Sequence, residues 1–189
     1  MTTNIQLRTG VAADASAIHS LITANLSAGH LLPRTFEDVV SHADRFVVAI
    51  DGDAVIGCAE LAPLSSEVAE VRSLVVAEAM RGQRTGVALV TALADRAREL
   101  GYITLCAFTH QPAHFVRLGF SIVPHTWVPE KIALDCVGCS QFRHCGQYAV
   151  SLALRAGAGL RLELTAPPAR AISGPRASVE RLRLLPVTA

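Results

Sequence analysis

The sequence predicts a single-domain α/β protein built on a mixed sheet, and three observations support this. The chain has 189 residues, a length that suits one compact domain. Hydrophobic residues make up 51% of it and charged residues 17%, so a substantial core can form. Runs with the period of two that is typical of strands alternate with runs whose apolar residues recur every three or four positions, as in helices.

The predicted elements follow from this periodicity and from the turn residues between them. In chain order they are a strand at 5–9, helices at 14–26 and from 35, strands at 46–50, 54–61 and 68–76, a helix at 86–100, a strand at 102–108, a helix at 112–118, and strands at 120–123 and 147–154. Asp51 and Gly52 predict a hairpin turn, and Gly101 ends the long helix. Residues 1–154 are therefore predicted to form the domain. The Ala-, Gly-, Pro- and Arg-rich residues 155–189 are predicted to be a tail that is poorly ordered or packed at the periphery.

Charge and composition argue against several classes of function. The chain has 17 basic and 16 acidic side chains, for a net charge of +1, so no strong field favours nucleic acid or a membrane surface. No apolar run is long enough to span a bilayer, and residues 1–8 lack the apolar core of a signal peptide. The five cysteines are odd in number, which argues against a disulfide framework. The expected location is the cytoplasm.

A possible anion site follows the strand at 68–76. The turn that begins at Arg81 contains glycine and opens the long helix, so free backbone N–H groups and the helix dipole point toward a bound anion. Arg81 and Arg84 can add charge-assisted hydrogen bonds to a phosphate. The alternative is an ordinary turn with two surface arginines.

This turn resembles that of the GNAT acetyltransferases. Their pattern is Arg or Gln, two residues, Gly, one residue, then Gly or Ala. Arg81 and Gly86 fit it, while Arg84 stands where the first Gly is usual. A shifted register of Gln83, Gly86 and Ala88 also fits, so both registers stay open. The segment 113–120 supports the resemblance, because it is similar to the family's late helix, which ends in Gly-Phe before a strand.

The resemblance covers residues 4–153 and implies the GNAT fold, a mixed and mostly antiparallel sheet flanked by helices, with strands splayed at the acetyl-CoA site. Acetyl-CoA is then the co-substrate. The residues expected to bind it are Leu74, Val75, Val76, Arg81, Gly82, Gln83, Arg84, Thr85, Gly86 and Val87. The first three would supply backbone N–H groups near the thioester.

A finer resemblance concerns the acceptor amine. The strand at 70–76, the Pro-Glu-Lys that ends at Lys131, and the Asp-Cys-x-x-Cys from Asp135 to Cys139 are similar to short bacterial N-acetylglutamate synthases, which lack the kinase domain of longer relatives. These enzymes acetylate the α-amine of glutamate in the first step of arginine biosynthesis. The resemblance thus implies a small amino acid as the partner, and a homodimer is left open.

The acceptor chemistry needs a base and carboxylate-binding cations. Strand alternation predicts Glu70, Arg72 and Leu74 on one face. Glu70 is the candidate base, directly or through water, with Glu60 on the preceding strand as the second candidate. Arg72 and Lys131 are predicted to bind the two carboxylates of glutamate. The alternative is that these charged residues form a structural ion pair or a solvated face.

Other residues leave alternatives open. The late helix has no tyrosine, which many members use as general acid, so the thiolate is expected to leave unassisted. Cys136, Cys139 and Cys145 with His144 favour a loop near the acceptor pocket over a zinc site, and no metal is predicted. His110, His114 and His125 are interpreted as structural. The competing functions are acetylation of another amine, such as an amino acid, a polyamine or a protein N-terminus, and non-catalytic acetyl-CoA binding.

Overall fold

The computed structural model describes residues 5–28 and 31–155 of the chain. Their strands form one sheet in the order β1-β2-β3-β4-β5-β7-β6. The strands are β1 (Gln6–Thr9), β2 (Phe46–Asp51), β3 (Ala54–Pro63), β4 (Val68–Val76), β5 (Thr104–Thr109), β6 (Ser121–Val123) and β7 (Tyr148–Ala153). The helices are α1 (Ala15–Ala24), α2 (Phe36–Ser41), α3 (Thr85–Glu99), α4 (Pro112–Val116) and α5 (Pro129–Lys131). Neighbouring strands are antiparallel except β4 and β5, which are parallel, so the predicted mixed α/β sheet is confirmed.

Helices cover both faces of this sheet. On one face, Ile18 and Ile22 of α1 and Val39 of α2 pack in a buried cluster with residues of β2 and β3. On the other face, Leu89 and Leu93 of α3 pack with residues of β2, β3, β4, β5 and β7. The spacing of four residues within α1 and within α3 puts each pair on one side of its helix, which is why both helices bury a stripe against the sheet.

The predicted local signals at element ends are confirmed. Thr35 is the N-cap of α2, and its Oγ1 accepts the backbone N–H of Asp38 at 3.1 Å. Gly52 turns the β2–β3 hairpin with a φ of +59°, and Gly101 follows α3 with a φ of +88°. Both angles lie in the left-handed region, where glycine avoids the steric cost that a Cβ brings.

A bulge interrupts the pairing of β3 with β4. Cys58 pairs with Val75, and Glu60 pairs with Arg72, so β4 uses one more residue than β3 over this stretch. Ser73 lies within it and has a φ of +49°. An extra residue of this kind bends the strand and shifts its side chains to the other face.

The bulge corrects one prediction about β4. Leu74 packs with the cluster on the α3 side, whereas Val75 packs with the cluster on the α1 side. Val75 pairs with Cys58 and Arg72 pairs with Glu60, two residues further along β3, so Val75 and Arg72 share a face. The prediction that Leu74 lies on the same face as Arg72 was wrong, because strict alternation fails at a bulge.

The parallel strands β4 and β5 pair over three residues only. Their last pair is Glu70 with Cys106, after which β4 continues to Val76 and β5 to Thr109 without pairing each other. The two strands therefore diverge at Glu70. This divergence confirms the predicted splay and opens a cleft in the sheet.

The segment before β7 differs from the expected loop. Pro129 occupies the first turn of α5, where its missing N–H costs nothing. The helix then continues as a π-helical turn at Ile132–Cys136. Lys131 and Asp135 thus stand one turn apart, a relation that a loop would not impose.

Two further outcomes concern the extent of the chain. Apart from Arg155, the predicted tail at 155–189 lies outside the described residues. Within the described parts, no helix has the length and apolarity needed to cross a membrane.

Candidate active site

The cleft between the diverging strands has a volume of about 1420 Å³. One wall is β4 from Glu70 to Val76, and the facing wall is formed by the end of β5 and by α4. The first turn of α3 lies at one end, and Lys131 and Asp135 line the cleft as well. The cleft therefore joins the predicted phosphate turn to the predicted acceptor residues.

The phosphate turn has the geometry of an anion site. Gly82 and Arg84 have φ angles of +80° and +63°, and Arg84 is the N-cap of α3. Its side chain makes no capping hydrogen bond, so the first-turn N–H groups of α3 have no side-chain partner from the N-cap. Arg84 thus has a left-handed backbone conformation at the position where the family pattern, counted from Arg81, has its first glycine.

Arg81 acts as a brace within this turn. Its Nη2 donates to Oδ1 of Asn25 at the end of α1 at 2.6 Å, and its Nε donates to the carbonyl of Val76 at 3.3 Å. These bonds fix the turn against β4 and α1. Gln83 does not line the cleft, and its Nε2 lies 3.9 Å from the sulfur of Met80.

The acceptor end of the cleft contains four charged side chains in contact. Lys131 Nζ lies 2.8 Å from Oε1 of Glu70 and 2.9 Å from its Oε2, and it also donates to Oδ2 of Asp135 at 2.9 Å. Arg72 donates through Nε to Oε2 of Glu70 and through Nη2 to Oδ2 of Asp135. Both cations therefore converge on the same two carboxylate oxygens.

Burial differs across this network and affects its charges. The side chain of Glu70 is 3% exposed and that of Asp135 is 38% exposed, so the network runs from the core to the cleft opening. Burial opposes the charge on Arg72, but Glu70 and Asp135 outweigh it and raise the pKa of the guanidinium. Arg72 thus remains a cation in the cleft.

A third cation, Arg34, stands beside the network. It lines the cleft and lies 3.2 Å through Nη1 from Oε2 of Glu60, which is 1% exposed. Its Nε is buried without a hydrogen-bond partner. Glu60 pairs with Arg72 across β3 and β4, which places Arg34 next to the other charges. Glu60 itself is absent from the cleft lining, whereas Glu70 reaches it.

The structure brings most of the predicted site residues to this cleft. The predicted residues that line it are Glu70, Arg72, Leu74, Val75, Val76, Arg81, Gly82, Arg84, Thr85, Gly86, Val87 and Lys131. Sequence reasoning missed two contributors. Asp135 follows Lys131 by four residues, a spacing that would have linked them had a helix been predicted there. Arg34 carried no local signal, because it reaches the cleft only through tertiary packing.

The remaining cysteines and histidines divide into buried and peripheral groups. Cys58 and Cys106 are fully buried. Cys139 lines the cleft, and Cys145 is exposed. Among the described residues, no group of three or more histidine, cysteine or acidic side chains is arranged to hold a metal ion. His125 donates from Nε2 to the carbonyl of Gln147 at 2.8 Å, as the structural interpretation expects.

Comparisons with known proteins match this fold and cleft. The model of the acetyltransferase (GNAT) family matches residues 16–120. A protein of Chlorobaculum tepidum described as an uncharacterized N-acetyltransferase is 32% identical over 138 residues, which is 73% of this chain and 89% of that protein.

Two solved structures share the fold. The N-acetylglutamate synthase of Neisseria gonorrhoeae, complexed with coenzyme A and N-acetyl-glutamate, superposes with a TM-score of 0.72 at 22% identity. The alignment covers 82% of this chain but only 36% of the synthase, so this chain spans about a third of its length. Rv2747 of Mycobacterium tuberculosis, in complex with CoA and NLQ, has a TM-score of 0.68 at 24% identity, over 79% of this chain and 99% of that protein.

These findings identify the class of protein. The chain belongs to the acetyltransferase (GNAT) family. Acetyl-CoA is its co-substrate, in keeping with the CoA bound by both structural neighbours.

Proposed function

We propose that this chain transfers the acetyl group of acetyl-CoA to the α-amine of L-glutamate, and so acts as an N-acetylglutamate synthase at the start of arginine biosynthesis. One observation carries the proposal. Three cations, Arg34, Arg72 and Lys131, line one end of the cleft. An acceptor with two carboxylates suits such a site. The structural neighbour from Neisseria gonorrhoeae, which is complexed with N-acetyl-glutamate, supports the same choice.

The three cations divide into two carboxylate subsites. Arg72 and Lys131 contact the same oxygens of Glu70 and Asp135, so they lie too close together to bind the two separated carboxylates of glutamate independently. We assign this pair to one carboxylate. Arg34, which pairs with Glu60 rather than with Glu70 or Asp135, is assigned to the other.

The divergence of β4 from β5 leaves a strand edge to which we assign the polarisation of the thioester. Residues Leu74 to Val76 line the cleft beyond the last β4–β5 pair, so their edge of the strand faces the cleft rather than β5. Backbone N–H groups on that edge are suited to donate to the thioester oxygen as negative charge develops on it. The first turn of α3, with Arg84 and Gly86, is assigned to the phosphates of the co-substrate.

Glu70 is the proposed proton acceptor for the substrate ammonium. A carboxylate has about four acceptor positions, and Arg72 and Lys131 occupy about three of those on Glu70. Among the described residues, Oε1 contacts only Lys131, at 2.8 Å, which leaves a position there for the amine or a bridging water. Glu60 does not line the cleft and is assigned to positioning Arg34.

The leaving thiolate is proposed to depart without a tyrosine acid. Among the described residues, no tyrosine lines the cleft. A thiol has a pKa near 8.5, about two units below that of an amine such as that of lysine, so its anion leaves at moderate cost.

The test is glutamate-dependent release of CoA thiol, with a panel of other amino acids, a polyamine and a peptide N-terminus as acceptors. Glutamate is expected to give the highest kcat/KM. Arg34→Met, Arg72→Met and Lys131→Met should each raise the KM for glutamate about tenfold to a hundredfold, equivalent to about 1.4 to 2.8 kcal/mol. The KM for acetyl-CoA should change little.

Arg98→Met is the matched control. Arg98 pairs with Asp95 on the surface of α3, and neither residue lines the cleft. This variant should behave like the wild type. An unchanged KM for glutamate in all three cleft variants, or a better acceptor of another class, would overturn the assignment to glutamate.

A further inference from the structure

Three of the five cysteines lie on the segment that joins α5 to β7. Cys136 and Cys139 are half-buried, and Cys145 is exposed. Only Val137 and Gly138 separate the first two, so the segment has the Cys-x-x-Cys spacing that is typical of reversible dithiol–disulfide pairs. The proposed acetyl transfer uses none of these thiols.

A single turn holds Cys136 and Cys139. The N–H of Cys139 donates to the carbonyl of Cys136 at 3.0 Å, and Val137 has a φ of −59° and a ψ of −37°, as the second residue of a type I turn does. Such a turn brings its first and fourth Cα atoms within about 7 Å of each other. Disulfides join Cα atoms that are about 4.4 to 6.8 Å apart, so a small adjustment of the turn suffices to join the two thiols.

Neighbouring charges affect the reactivity of the two thiols. Burial raises the pKa of Cys136, Lys131 opposes this effect, and the negative charges of Cys145, Asp135 and Cys139 add to it. The thiolate is the nucleophile, so Cys136 is the slower of the pair to attack an oxidant. Cys139 lines the cleft, where a dissolved oxidant can reach it. Once Cys139 has reacted, its negative charge is gone, which favours ionisation of Cys136.

The same turn directly follows the charged network at the acceptor end. Asp135 precedes Cys136 in the chain, and its Oδ2 accepts hydrogen bonds from Lys131, at 2.9 Å, and from Arg72. Cys139 lines the cleft together with Asp135 and both cations. Drawing Cys139 toward Cys136 therefore shifts the carboxylate that orders the two cations.

We propose that Cys136 and Cys139 are a site of reversible oxidation, and that the disulfide between them weakens binding of the acceptor amine. The oxidant is a low-molecular-weight disulfide. The Cys139 thiolate attacks one of its sulfur atoms and releases one thiol, and the Cys136 thiolate then attacks the Cys139 sulfur and releases the second. The two protein thiols lose two electrons and two protons, which reduce the oxidant to two thiols. The proposal is independent of which amine is acetylated.

The first measurement detects the disulfide itself. The full chain is incubated with oxidised glutathione, free thiols are alkylated in denaturant, and tryptic peptides are analysed by mass spectrometry without reduction. Trypsin separates residues 132–143, which contain Cys136 and Cys139, from residues 144–155, which contain Cys145. We expect the first peptide to be lighter by two hydrogens than its reduced form and to carry no alkyl group. Because no acceptor is present, a failure of the glutamate assignment would not alter this result.

The second measurement compares the KM for the best acceptor of the panel before and after oxidation. It uses Cys145→Ser, so that glutathione attached to the exposed thiol does not contribute. Oxidation should raise this KM about twofold to fivefold, the range for a displaced and partly exposed ion pair, and dithiothreitol should restore it. The matched control adds Cys139→Ser to the same variant; it cannot form the disulfide, and its KM should not respond to the oxidant.

Each of three results would contradict the proposal. One is a peptide 132–143 that stays alkylated on both cysteines, or that is joined to the peptide containing Cys145 instead. Another is complete formation of the disulfide with a KM equal to that of the reduced chain. The third is release of stoichiometric zinc from the purified chain on oxidation, which would make these cysteines metal ligands.

Discussion

Glu70 is proposed to accept a proton, and it also contacts the two cations Arg72 and Lys131. It is 3% exposed and orders two cations, yet one position on Oε1 remains for a proton. A buried charge of this kind is tolerated because it is paired on several sides. Kinetics can distinguish a base from a residue that only positions Arg72 and Lys131.

Glu70→Gln keeps an acceptor oxygen but removes the basic carboxylate. If Glu70 is the base, this substitution should lower kcat by a factor of about 10² to 10⁴, the usual contribution of general acid–base catalysis. If Glu70 only positions Arg72 and Lys131, the variant should mainly show a higher KM for glutamate. Glu60→Gln is the control, because Glu60 is buried but does not line the cleft, and it should lower stability more than kcat. A kcat for Glu70→Gln within threefold of wild type would exclude the base role.

Arg84 adopts a backbone conformation that is unfavourable for a residue other than glycine. A non-glycine residue in the left-handed region costs about 1 to 2 kcal/mol. Arg84 has a φ of +63° at the N-cap of α3, where the family pattern has glycine. Arg84 lines the cleft at the proposed phosphate site. We interpret the strain as tolerated because the cation strengthens binding of the anionic co-substrate.

Arg84→Gly and Arg84→Ala separate these two effects. Both remove the guanidinium, so both should weaken CoA binding several-fold in calorimetry. Only glycine relieves the backbone, and it should raise the melting temperature by about 2 to 4 °C, equivalent to about 1 kcal/mol in a chain of this size. Equal melting temperatures for the two variants would contradict the strain argument.

At the level of elements, Asp14 ties the end of β1 to the start of α1. Its carboxylate accepts hydrogen bonds from both terminal nitrogens of Arg8, at 2.6 and 2.8 Å. It also accepts one from the backbone N–H of Val11 at 2.9 Å. The hydrogen bonds from Arg8, followed by that from Val11, hold the pKa of Asp14 below its usual 3.8 despite partial burial. The pair thereby closes the turn that presents α1 to the sheet.

The sign of this shift sets a pH dependence. A carboxyl group whose pKa is lower in the folded chain stabilises it fully above the unfolded pKa, and this stabilisation disappears as the pH falls through the folded pKa. Asp14→Asn should therefore lower the free energy of unfolding by about 1 kcal/mol at pH 7, a modest value because Arg8 is 41% exposed. Urea unfolding at pH 7 and at progressively lower pH should show the gap between wild type and variant closing below about pH 4.

Asp95→Asn provides the control for this experiment. Asp95 pairs with Arg98 on the exposed side of α3, with side chains 62% and 44% exposed. Exposed pairs contribute little, so this variant should stay within about 0.5 kcal/mol of the wild type. A gap for Asp14→Asn that persists unchanged in acid would show that its carboxylate is not the stabilising group.

At the scale of the whole molecule, burial sorts the five cysteines into inert and accessible thiols. Cys58 lies in the cluster between the sheet and α1, where burial, followed by the charge of Glu60, raises its pKa to about 12. Burial likewise raises the pKa of Cys106 on β5. Cys145, in the segment before β7, is exposed.

This distribution predicts thiol reactivity in the folded chain. With a disulfide reagent at pH 8, Cys145 should react first, and Cys58 and Cys106 should react only on unfolding, because the thiolate is the nucleophile and requires access. Cys145→Ser should remove the fast phase. Uniform reaction of all five thiols in the native chain would show that the sheet does not protect its core.

The sequence by itself determined most of the elements and the turn that opens α3. The apolar spacing of α1 and α3, the Thr35 cap, the Gly52 turn and the phosphate turn from Arg81 are local features, and propensity and periodicity encode them within a few residues. The family pattern depends on the same short range. These parts were therefore predictable without any knowledge of long-range contacts.

The tertiary structure decided how the acceptor end is assembled. The bulge at Ser73 moved Leu74 off the face of Arg72, the helical turn after Pro129 brought Asp135 to Lys131, and packing carried Arg34 and His114 to the cleft. Each of these contacts joins residues through strand register, helix phase or packing between elements distant in the chain. A single residue inserted in a strand reverses its faces, so local periodicity does not predict which face Leu74 shares. The contact between Lys131 and Asp135 depends on a helical turn that the sequence reading did not predict.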